Sequence, residues 1–300
     1  MTKLVPVTGS FARMSDVLIE VANVAILTFV LSSMVALGLS LTVNQITRPL
    51  TNVRLVVMGL IANFVIAPAA AWGVAGLLGL DDSLKLGLLL LGTAAGAPFL
   101  PKLAQFAKGD VAYAVGLMVL LMVVTIAYIP LVLVPLVEGI EVSAWDIARP
   151  LVFGMLLPLS IALLVRARYD EAKKLAPHLN QISTVTLAIA LVLGLVLGLP
   201  QLIDAFGTGA FIAVVLLMAV CLAAGYLMGG TDIGQRWVTA FGTTQRNVSA
   251  ALLIATTSFA GDAEVLVIVM VGAVLMAAVL MPLAAEIGKR ASAGNPLPSG

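Results

Sequence analysis

The chain has 300 residues, of which 61% are hydrophobic and 10% charged, and its mean hydropathy is +1.15. This composition is too apolar for a soluble globular protein and predicts an integral membrane protein. A formal net charge of +1, without any basic run, excludes nucleic acid as a partner. One cysteine and one histidine exclude an internal disulfide and a multi-histidine metal site.

Apolar runs follow one another along the whole chain, and each is near the length of about 20 residues that a helix needs to cross the hydrocarbon layer. They cover 17–43, 52–78, 83–107, 110–137, 148–167, 180–203, 208–229, 234–260 and 263–286. Because the runs lack the alternation of barrel strands, we predict an all-α polytopic membrane protein with nine transmembrane helices. We expect 1–15 to form an N-terminal extracellular segment, 16–290 the transmembrane domain and 291–300 a disordered tail.

The basic residues of the loops are distributed unevenly between the two sides of the membrane. When the loops are numbered alternately, one side holds Arg48, Arg54, Lys108, Arg166, Arg168, Lys173, Lys174, Arg236, Lys289 and Arg290. The other side holds Lys3, Arg13, Lys85 and Arg149. The positive-inside rule therefore predicts a cytoplasmic C-terminus and an extracellular N-terminus, in a bacterial-type inner membrane. The segment before Asp16 lacks an apolar core, so we expect no cleavable signal peptide.

The third apolar run is interrupted by the segment LGTAAGAPFLPKLAQFAKGD, residues 91–110. Proline removes a backbone donor and clashes with the preceding turn, and glycine loosens what remains of the helix. The candidate break residues here are Gly92, Gly96, Pro98 and Pro101. We predict that the helix breaks at 96–98.

The eighth run is interrupted by AFGTTQRNVSA, residues 240–250, in which Gly242 precedes a cluster of polar side chains. An arginine at the centre of a spanning helix costs roughly 2.5–3.5 kcal/mol on insertion scales. Such a residue needs a wet or polar surrounding. We predict that this helix unwinds over 242–247.

Both interruptions occupy the next-to-last helix of a four-helix set, helices 1–4 and helices 6–9. Paired interruptions at corresponding places indicate a transporter with inverted repeats. Each break frees N–H and C=O groups that lipid cannot satisfy, so it must face protein, water or a ligand. A simpler explanation, that glycine and proline are merely common in membrane helices, stays open.

Several stretches resemble the bile acid:sodium symporter family of secondary transporters. They are LGLSLT (37–42), GLIANFVIAPAAAW (59–72), LLGTAAGAPFLPKLAQFAKGDVA (90–112) and FGTTQRNVSAALL (241–253). The resemblance covers roughly 25–285 and implies two crossed, discontinuous helices in a core domain beside a panel domain. The core would comprise about 52–137 and 208–286. The panel would comprise about 17–43, 148–167 and 180–203.

Family members couple two sodium ions to the uptake of an organic anion, but most of the implied sodium ligands are missing here. Leu100 and Pro101 stand where relatives have a serine–asparagine pair, and Gly242 stands near the position of a shared glutamate. The supporting hydroxyls of the following helix fall in the apolar AYAVGLMVLLMVV. We expect no cofactor, and sodium only as a possibility.

Some of the family's amide ligands are retained. Asn63 keeps the amide of the second helix, and Asn247 matches the asparagine of the second crossover. The crossover glutamine corresponds to Arg246 in a gapless alignment, or to Gln245 after a one-residue shift. Asn63 and Gln245 could therefore form a vestigial sodium site, and we expect no other metal site.

Two basic residues follow the breaks closely, Lys102 in the third run and Arg246 in the eighth. We hypothesise that they replace bound sodium, balance the site electrostatically and hold an anionic substrate. The alternative is that Lys102 reaches the cytoplasmic surface and that Arg246 only caps carbonyl groups at the break. The candidate substrate-binding residues are Arg246, Asn247, Gln245, Thr244, Thr243, Lys102, Pro98 and Asn63.

The favoured function is secondary transport of a small organic anion, either bile-acid-like or a carboxylate. A sodium-coupled symporter with rearranged cation sites and a non-transporting membrane sensor stay open. No Asp pair, HExxH or GxSxG arrangement lies within a span, so we expect no enzyme. The expected partners are the substrate and membrane lipids, in a monomer or loose homodimer.

Overall fold

A computed structural model of the protein describes residues 8–47, 51–136, 143–197 and 209–292, and every regular element in these ranges is helical. The helices are α1 (Thr8–Ser40), α2 (Val43–Thr47), α3 (Val53–Leu78), α4 (Asp82–Thr93), α5 (Leu100–Phe106), α6 (Val111–Leu136), α7 (Ala144–Arg168), α8 (Ala176–Leu197), α9 (Ala210–Met228), α10 (Ile233–Thr244), α11 (Val248–Thr257) and α12 (Ala263–Ser292). A 3₁₀ turn, Asp170–Leu175, joins α7 to α8.

Within the described ranges, six helices are long and apolar enough to cross a membrane: α1, α3, α6, α7, α9 and α12. They coincide with six of the nine predicted runs. The third and eighth runs are each divided into two shorter helices, α4 with α5 and α10 with α11. The sixth run corresponds to α8, and its last residues, 198–203, lie outside the described part of the chain.

The two ends of the chain differ from the expected boundaries. Helix α1 begins at Thr8, so part of the predicted N-terminal segment is helical. Helix α12 extends to Ser292 and includes the first two residues of the predicted tail. Residues 1–7 and 293–300, and Arg48 among the loop residues used for orientation, lie outside the described ranges.

Helices α3 and α7 each contain one π-helical turn, Ala62–Ile66 and Val152–Leu156. Pro68 and Pro158 follow these turns closely, and proline cannot donate to the carbonyl four residues earlier. In α3 the carbonyl four residues before Pro68 belongs to Phe64, and it accepts a hydrogen bond from the Tyr128 hydroxyl of α6. The π turn of α3 also contains Asn63, which the sequence analysis selected as a site residue.

The helices form two packed groups. Helix α1 packs along α7 and α8, and a small apolar cluster of Leu39, Ala162 and Ala176 joins the three. The larger apolar core lies around α4, α5, α6, α10, α11 and α12. The interrupted helices are thus in the most buried part of the described chain.

Candidate functional site at the helix breaks

The first break comprises residues 94–99, between the end of α4 and the start of α5. Gly96 has φ +82°, and a Cβ atom there would lie 2.2 Å from the backbone nitrogen of Met122 in α6. The break therefore needs glycine for both its conformation and its close approach to α6. Of the other candidates, Pro98 lies in the break, Gly92 in the last turn of α4 and Pro101 in the first turn of α5.

Thr125 of α6 forms hydrogen bonds with the backbone of the first break. Its hydroxyl accepts a hydrogen bond from the backbone N–H of Ala95 at 3.0 Å and donates to the carbonyl of the same residue at 3.1 Å. Thr125 is fully buried. One side chain thus satisfies both backbone groups of a residue that has left the helix, where lipid could satisfy neither.

The second break comprises residues 245–247, between α10 and α11. The prediction that the helix unwinds from Gly242 was three residues too early, because Gly242 is still helical. A Cβ atom on Gly242 would lie 3.0 Å from Leu100 Cδ2, so its role is close packing of α10 against α5. Thr243 and Thr244 are also helical, and their hydroxyls donate to the carbonyls of Thr239 and Ala240.

The two breaks touch each other directly. The backbone N–H of Asn247 donates to the carbonyl oxygen of Ala94 at 2.8 Å. The Asn247 side chain caps α11, because its Oδ1 accepts from the N–H of Ala250 at 3.1 Å. Asn247 therefore joins the first break to the start of α11.

Arg246 fills the centre of this crossing, and none of its surface is exposed. Its Nε donates to Leu91 O at 2.9 Å and its Nη2 to Gly92 O at 2.8 Å. Its Nη1 donates to Thr243 O at 2.7 Å and to Asn63 Oδ1 at 3.0 Å. Four oxygen atoms therefore surround the guanidinium group, and three of them are backbone carbonyls from the last turns of α4 and α10.

The charge of Arg246 suits the electrostatics of this position. A helix carries about half a negative elementary charge at its C-terminus, and both α4 and α10 end here. A single guanidinium group balances two such ends, and its rigid fork of donors fits several oxygens at once. These oxygens lower the free-energy cost of burying the cation, which in other proteins is usually met by a carboxylate.

Asn63 completes the oxygen cage from the π turn of α3. Its Nδ2 donates to Gly59 O at 3.0 Å and to Thr243 Oγ1 at 3.2 Å, which orients Oδ1 toward Arg246. Asn63 is fully buried. The structure thus brings together three predicted substrate-site residues, Asn63, Thr243 and Arg246, and their hydrogen bonds are with one another.

Lys102 is not part of this cage. It is exposed, and its Nζ lies 5.3 Å from the centroid of the Phe106 ring, one turn along α5. Arg246 is fully buried whereas Lys102 is exposed, so the two basic residues do not share an enclosed pocket. Pro98 is half-buried at the end of the first break.

Three polar atoms around the second break are buried without a hydrogen-bond partner. They are Gln245 Oε1, Asn247 Nδ2 and Ser249 Oγ. The first two belong to predicted site residues, and the third lies in the first turn of α11. An unpaired buried polar group is costly, so these three atoms are candidates for contacts with water or with a ligand.

A cleft of about 290 Å³ opens at the far end of α11. Its lining comes from α1, from the last turn of α11 with the following loop, and from α12, and it includes Asn23, Phe259 and Met270. The lining is mostly apolar, with polar groups from Asn23, Thr256 and Asp262. The cleft therefore lies between the α1 group of helices and the core.

Two residues that matter at the crossing, Thr125 and Ser249, were not among the sequence-based candidates. The apolar stretch that was compared with the family's hydroxyl positions ends at Val124, one residue before Thr125, which is the first hydroxyl after Tyr113 in this apolar helix. A polar residue isolated in a spanning segment was the available signal. Ser249 follows the RN pair by two residues, within the quoted stretch 241–253.

Comparison with protein families matches residues 26–205 to the Sodium Bile acid symporter family. The matched region includes α3, the first break and Thr125, and it ends before the second break. No curated protein matches the chain. The family match spans more than half of the sequence and agrees with the resemblance of the three quoted motifs that lie within it. The protein therefore belongs to the sodium bile acid symporter family, whose members are membrane transporters and not enzymes.

Proposed function

We propose that the protein is a secondary transporter that moves a small organic anion, bile-acid-like or a carboxylate, across the membrane by alternating access. Family membership and the apolar helices support transport in general. The two breaks that meet inside the core support a binding site at mid-membrane, since interrupted helices free backbone groups for a ligand. We also propose nine spanning helices, with the C-terminus in the cytoplasm.

The observation that carries the mechanism is the oxygen cage around Arg246. Backbone carbonyls and an amide oxygen are ligands that hard cations prefer. Here the guanidinium group donates to all four oxygens. We propose that Arg246 provides permanently the positive charge that sodium provides in relatives, so the carrier works without a sodium gradient. Lys102, exposed beyond the first break, would attract the anion from the cytoplasmic side.

An inverted-repeat arrangement is supported by the two half-helices that lead into the breaks. Both α4 and α10 have 12 residues, and each is capped by an aspartate, Asp81 and Asp232, that accepts from a backbone N–H three residues later. Their C-termini converge on Arg246. We propose that helices α1, α7 and α8 form a panel against which the remaining helices move, with the cleft beside α1 as the outer access route.

The test is transport by the purified protein in proteoliposomes. Organic anions, including taurocholate, are first screened by thermal shift with and without sodium, and the best ligand is then used for radiolabelled uptake. We expect equal uptake in sodium and in choline. Arg246→Gln should lower uptake at least tenfold, whereas Arg236→Gln, in the first turn of α10, should change it little.

Arg246→Lys provides a second variant if Arg246→Gln does not fold, because lysine keeps the charge but loses the fork of donors. Uptake that collapses in choline would refute the replacement of sodium and favour a sodium-coupled symporter with rearranged sites. Binding without any net flux would instead favour a sensor.

A further inference from the structure

We propose that the protein is an electrogenic exporter, in which the fixed positive charge of Arg246 lets the membrane potential drive an organic anion out of the cell. The proposal rests on the transport function above and specifies its direction and the charge moved in each cycle. It follows from the charge that the core carries with and without substrate.

Arg246 is the one charged side chain that is buried among the residues whose surroundings the structure describes. No Asp, Glu or His side chain of that set is buried with it. An arginine side chain keeps its proton in proteins. The crossing of the two breaks therefore holds one positive charge that no buried carboxylate balances within the described residues.

The oxygen atoms around Arg246 stabilise its charge but do not cancel it. They belong to backbone carbonyls and to the amide of Asn63, which are neutral groups. The helix dipoles of α4 and α10 add partial negative charge at the crossing, but each dipole has an equal positive end and no net charge. A movement of these helices through the membrane field therefore transfers the charge of the guanidinium group.

Arg246 belongs to the part of the protein that would move. Its four acceptor atoms lie on α3, α4 and α10, and none of these four atoms lies on the proposed panel of α1, α7 and α8. The guanidinium group is thus bonded to the core from several sides. When the core moves against the panel, the charge moves with it.

The charge of the moving core then depends on whether an anion is bound. With a monovalent anion the two charges sum to zero, so the loaded core crosses the field without electrical work. The core without substrate carries one positive charge, and the membrane potential draws it to the negative side, which is the cytoplasm. A cycle that carries the anion outward and returns without it is therefore favoured, whereas the reverse cycle must move the charge outward against the field.

The charges at the two access routes agree with this direction. Lys102 is exposed beyond the first break, on the proposed cytoplasmic side, where a positive charge attracts an anion. The described lining of the outer cleft contains Asp262 and no Lys or Arg. The Ser83 hydroxyl donates to Asp262 Oδ2 at 2.7 Å and so holds this carboxylate beside the cleft. A negative charge there favours release of the anion over its capture.

The first measurement is the steady-state distribution of labelled taurocholate across proteoliposomes that contain the full-length purified protein. Gluconate is measured in parallel as a small carboxylate. The medium contains choline in place of sodium, and a potassium gradient with valinomycin sets the potential. A tenfold higher potassium concentration outside makes the interior positive and should concentrate the anion inside about tenfold, because both ions carry one charge. The opposite gradient should deplete it about tenfold. Vesicles without protein are the control.

The second measurement tests whether Arg246 carries the charge. When labelled and unlabelled anion saturate the two sides, the core crosses mainly in its loaded form, so exchange by the native protein should run equally fast at both polarities. In Arg246→Gln the loaded core would be negative, and its exchange should change with polarity. Arg246→Lys keeps the charge and should behave like the native protein at a lower rate. Arg290→Gln, at an exposed arginine of α12, is the matched control and should also behave like the native protein.

The outcomes separate the direction from the transport function. Measurable flux with equal distributions at both polarities would overturn export and leave transport standing, and so would accumulation toward the negative side. Exchange by the native protein that changes with polarity would overturn the role of Arg246. No flux of either anion would overturn the transport function and export with it. The first measurement needs only the native protein, so it decides the direction even if Arg246→Gln does not fold.

Discussion

The two helix breaks solve the same problem in opposite ways. In the first break the backbone groups that have left the helix are paired by residues of other helices: Thr125 pairs with both groups of Ala95, and Asn247 donates to Ala94 O. The second break supplies donors to its surroundings, through Arg246 and the Asn247 N–H. It also keeps three side-chain atoms without a partner.

Under the proposed function, the first break would support the site and the second break would recognise the substrate. The first break is anchored to α6 at Met122 and Thr125, so it behaves as a fixed surface. The second break holds the buried charge and the unused hydrogen-bonding groups. We therefore expect changes in the first break to act on stability, and changes in the second break to act on stability, binding or both.

The largest effect should come from removing the buried charge. Arg246→Ala leaves four oxygens at two helix C-termini without their donor, and we expect a loss of about 3–5 kcal/mol in the free energy of unfolding. Arg246→Lys should lie between this variant and the native protein. Thermal unfolding in detergent measures both.

Arg246→Ala also tests the hypothesis that Arg246 replaces bound sodium. If the cage accepts any suitable cation, sodium or non-denaturing guanidinium should raise the melting temperature of Arg246→Ala more than that of the native protein. Arg290→Gln is the control, since the Arg290 side chain is 60% exposed and pairs with Glu286 on the same helix. A loss below about 1 kcal/mol for Arg246→Ala would mean that the charge is not required.

The second prediction concerns Gly96, where the first break touches α6. Gly96→Ala would introduce a Cβ atom 2.2 Å from Met122 N in addition to an unfavourable φ of +82°. We expect a loss of about 3 kcal/mol, the sum of backbone strain and overpacking.

Gly209→Ala separates these two contributions. Gly209 has the same φ of +82°, but the nearest atom to its Cβ position is 3.9 Å away. It should lose only about 1–2 kcal/mol, the strain alone. Equal losses for the two variants would show that contact with α6 does not fix the first break.

The third prediction tests the two hydrogen bonds between the Thr125 hydroxyl and the backbone of Ala95. Thr125→Val keeps the shape of the side chain but removes the hydroxyl that donates to the C=O of Ala95. The N–H of Ala95 loses one of two acceptors and keeps Thr93 O at 3.1 Å. We therefore expect a loss of about 1–2 kcal/mol. Thr93→Val is the matched control, because the Thr93 hydroxyl donates to carbonyls of its own helix. Unfolding and amide hydrogen exchange at Ala95 would measure the difference. Similar stabilities for the two variants would contradict the role of Thr125.

The sequence was informative about the membrane character and about which helices break, because glycine, proline and clustered polar residues act locally. It placed the first break at 96–98, within the observed gap. The second break was located less well, because Gly242 suits a break by composition but is needed for packing against Leu100. Such a contact depends on two segments that are distant in the chain.

The sequence pointed to residues that meet at the crossing but not to their arrangement, and their role in binding stays a prediction. Asn63 was selected from the family resemblance and Thr243 and Arg246 from the predicted break, but their mutual hydrogen bonds depend on the π turn of α3 and on how α3 packs on α10. Lys102 was grouped with Arg246 by its distance from the break along the chain. Sequence distance could not reveal that one side chain is sealed and the other exposed.

The smallest predicted effect on stability is that of replacing Lys102. The variant tests whether a positive charge outside the two breaks contributes to binding of the anion. Lys102→Gln removes a contact with the Phe106 ring worth about 0.5 kcal/mol, so the melting temperature should hardly change. If Lys102 attracts the anion, the variant should still bind more weakly at low salt, and the difference should vanish at high salt. Lys173→Gln, in the 3₁₀ turn between α7 and α8, controls for loss of a basic residue elsewhere. Identical binding by the two variants at every salt concentration would remove Lys102 from the site, and Arg246 would then be the one basic residue retained in the proposed mechanism.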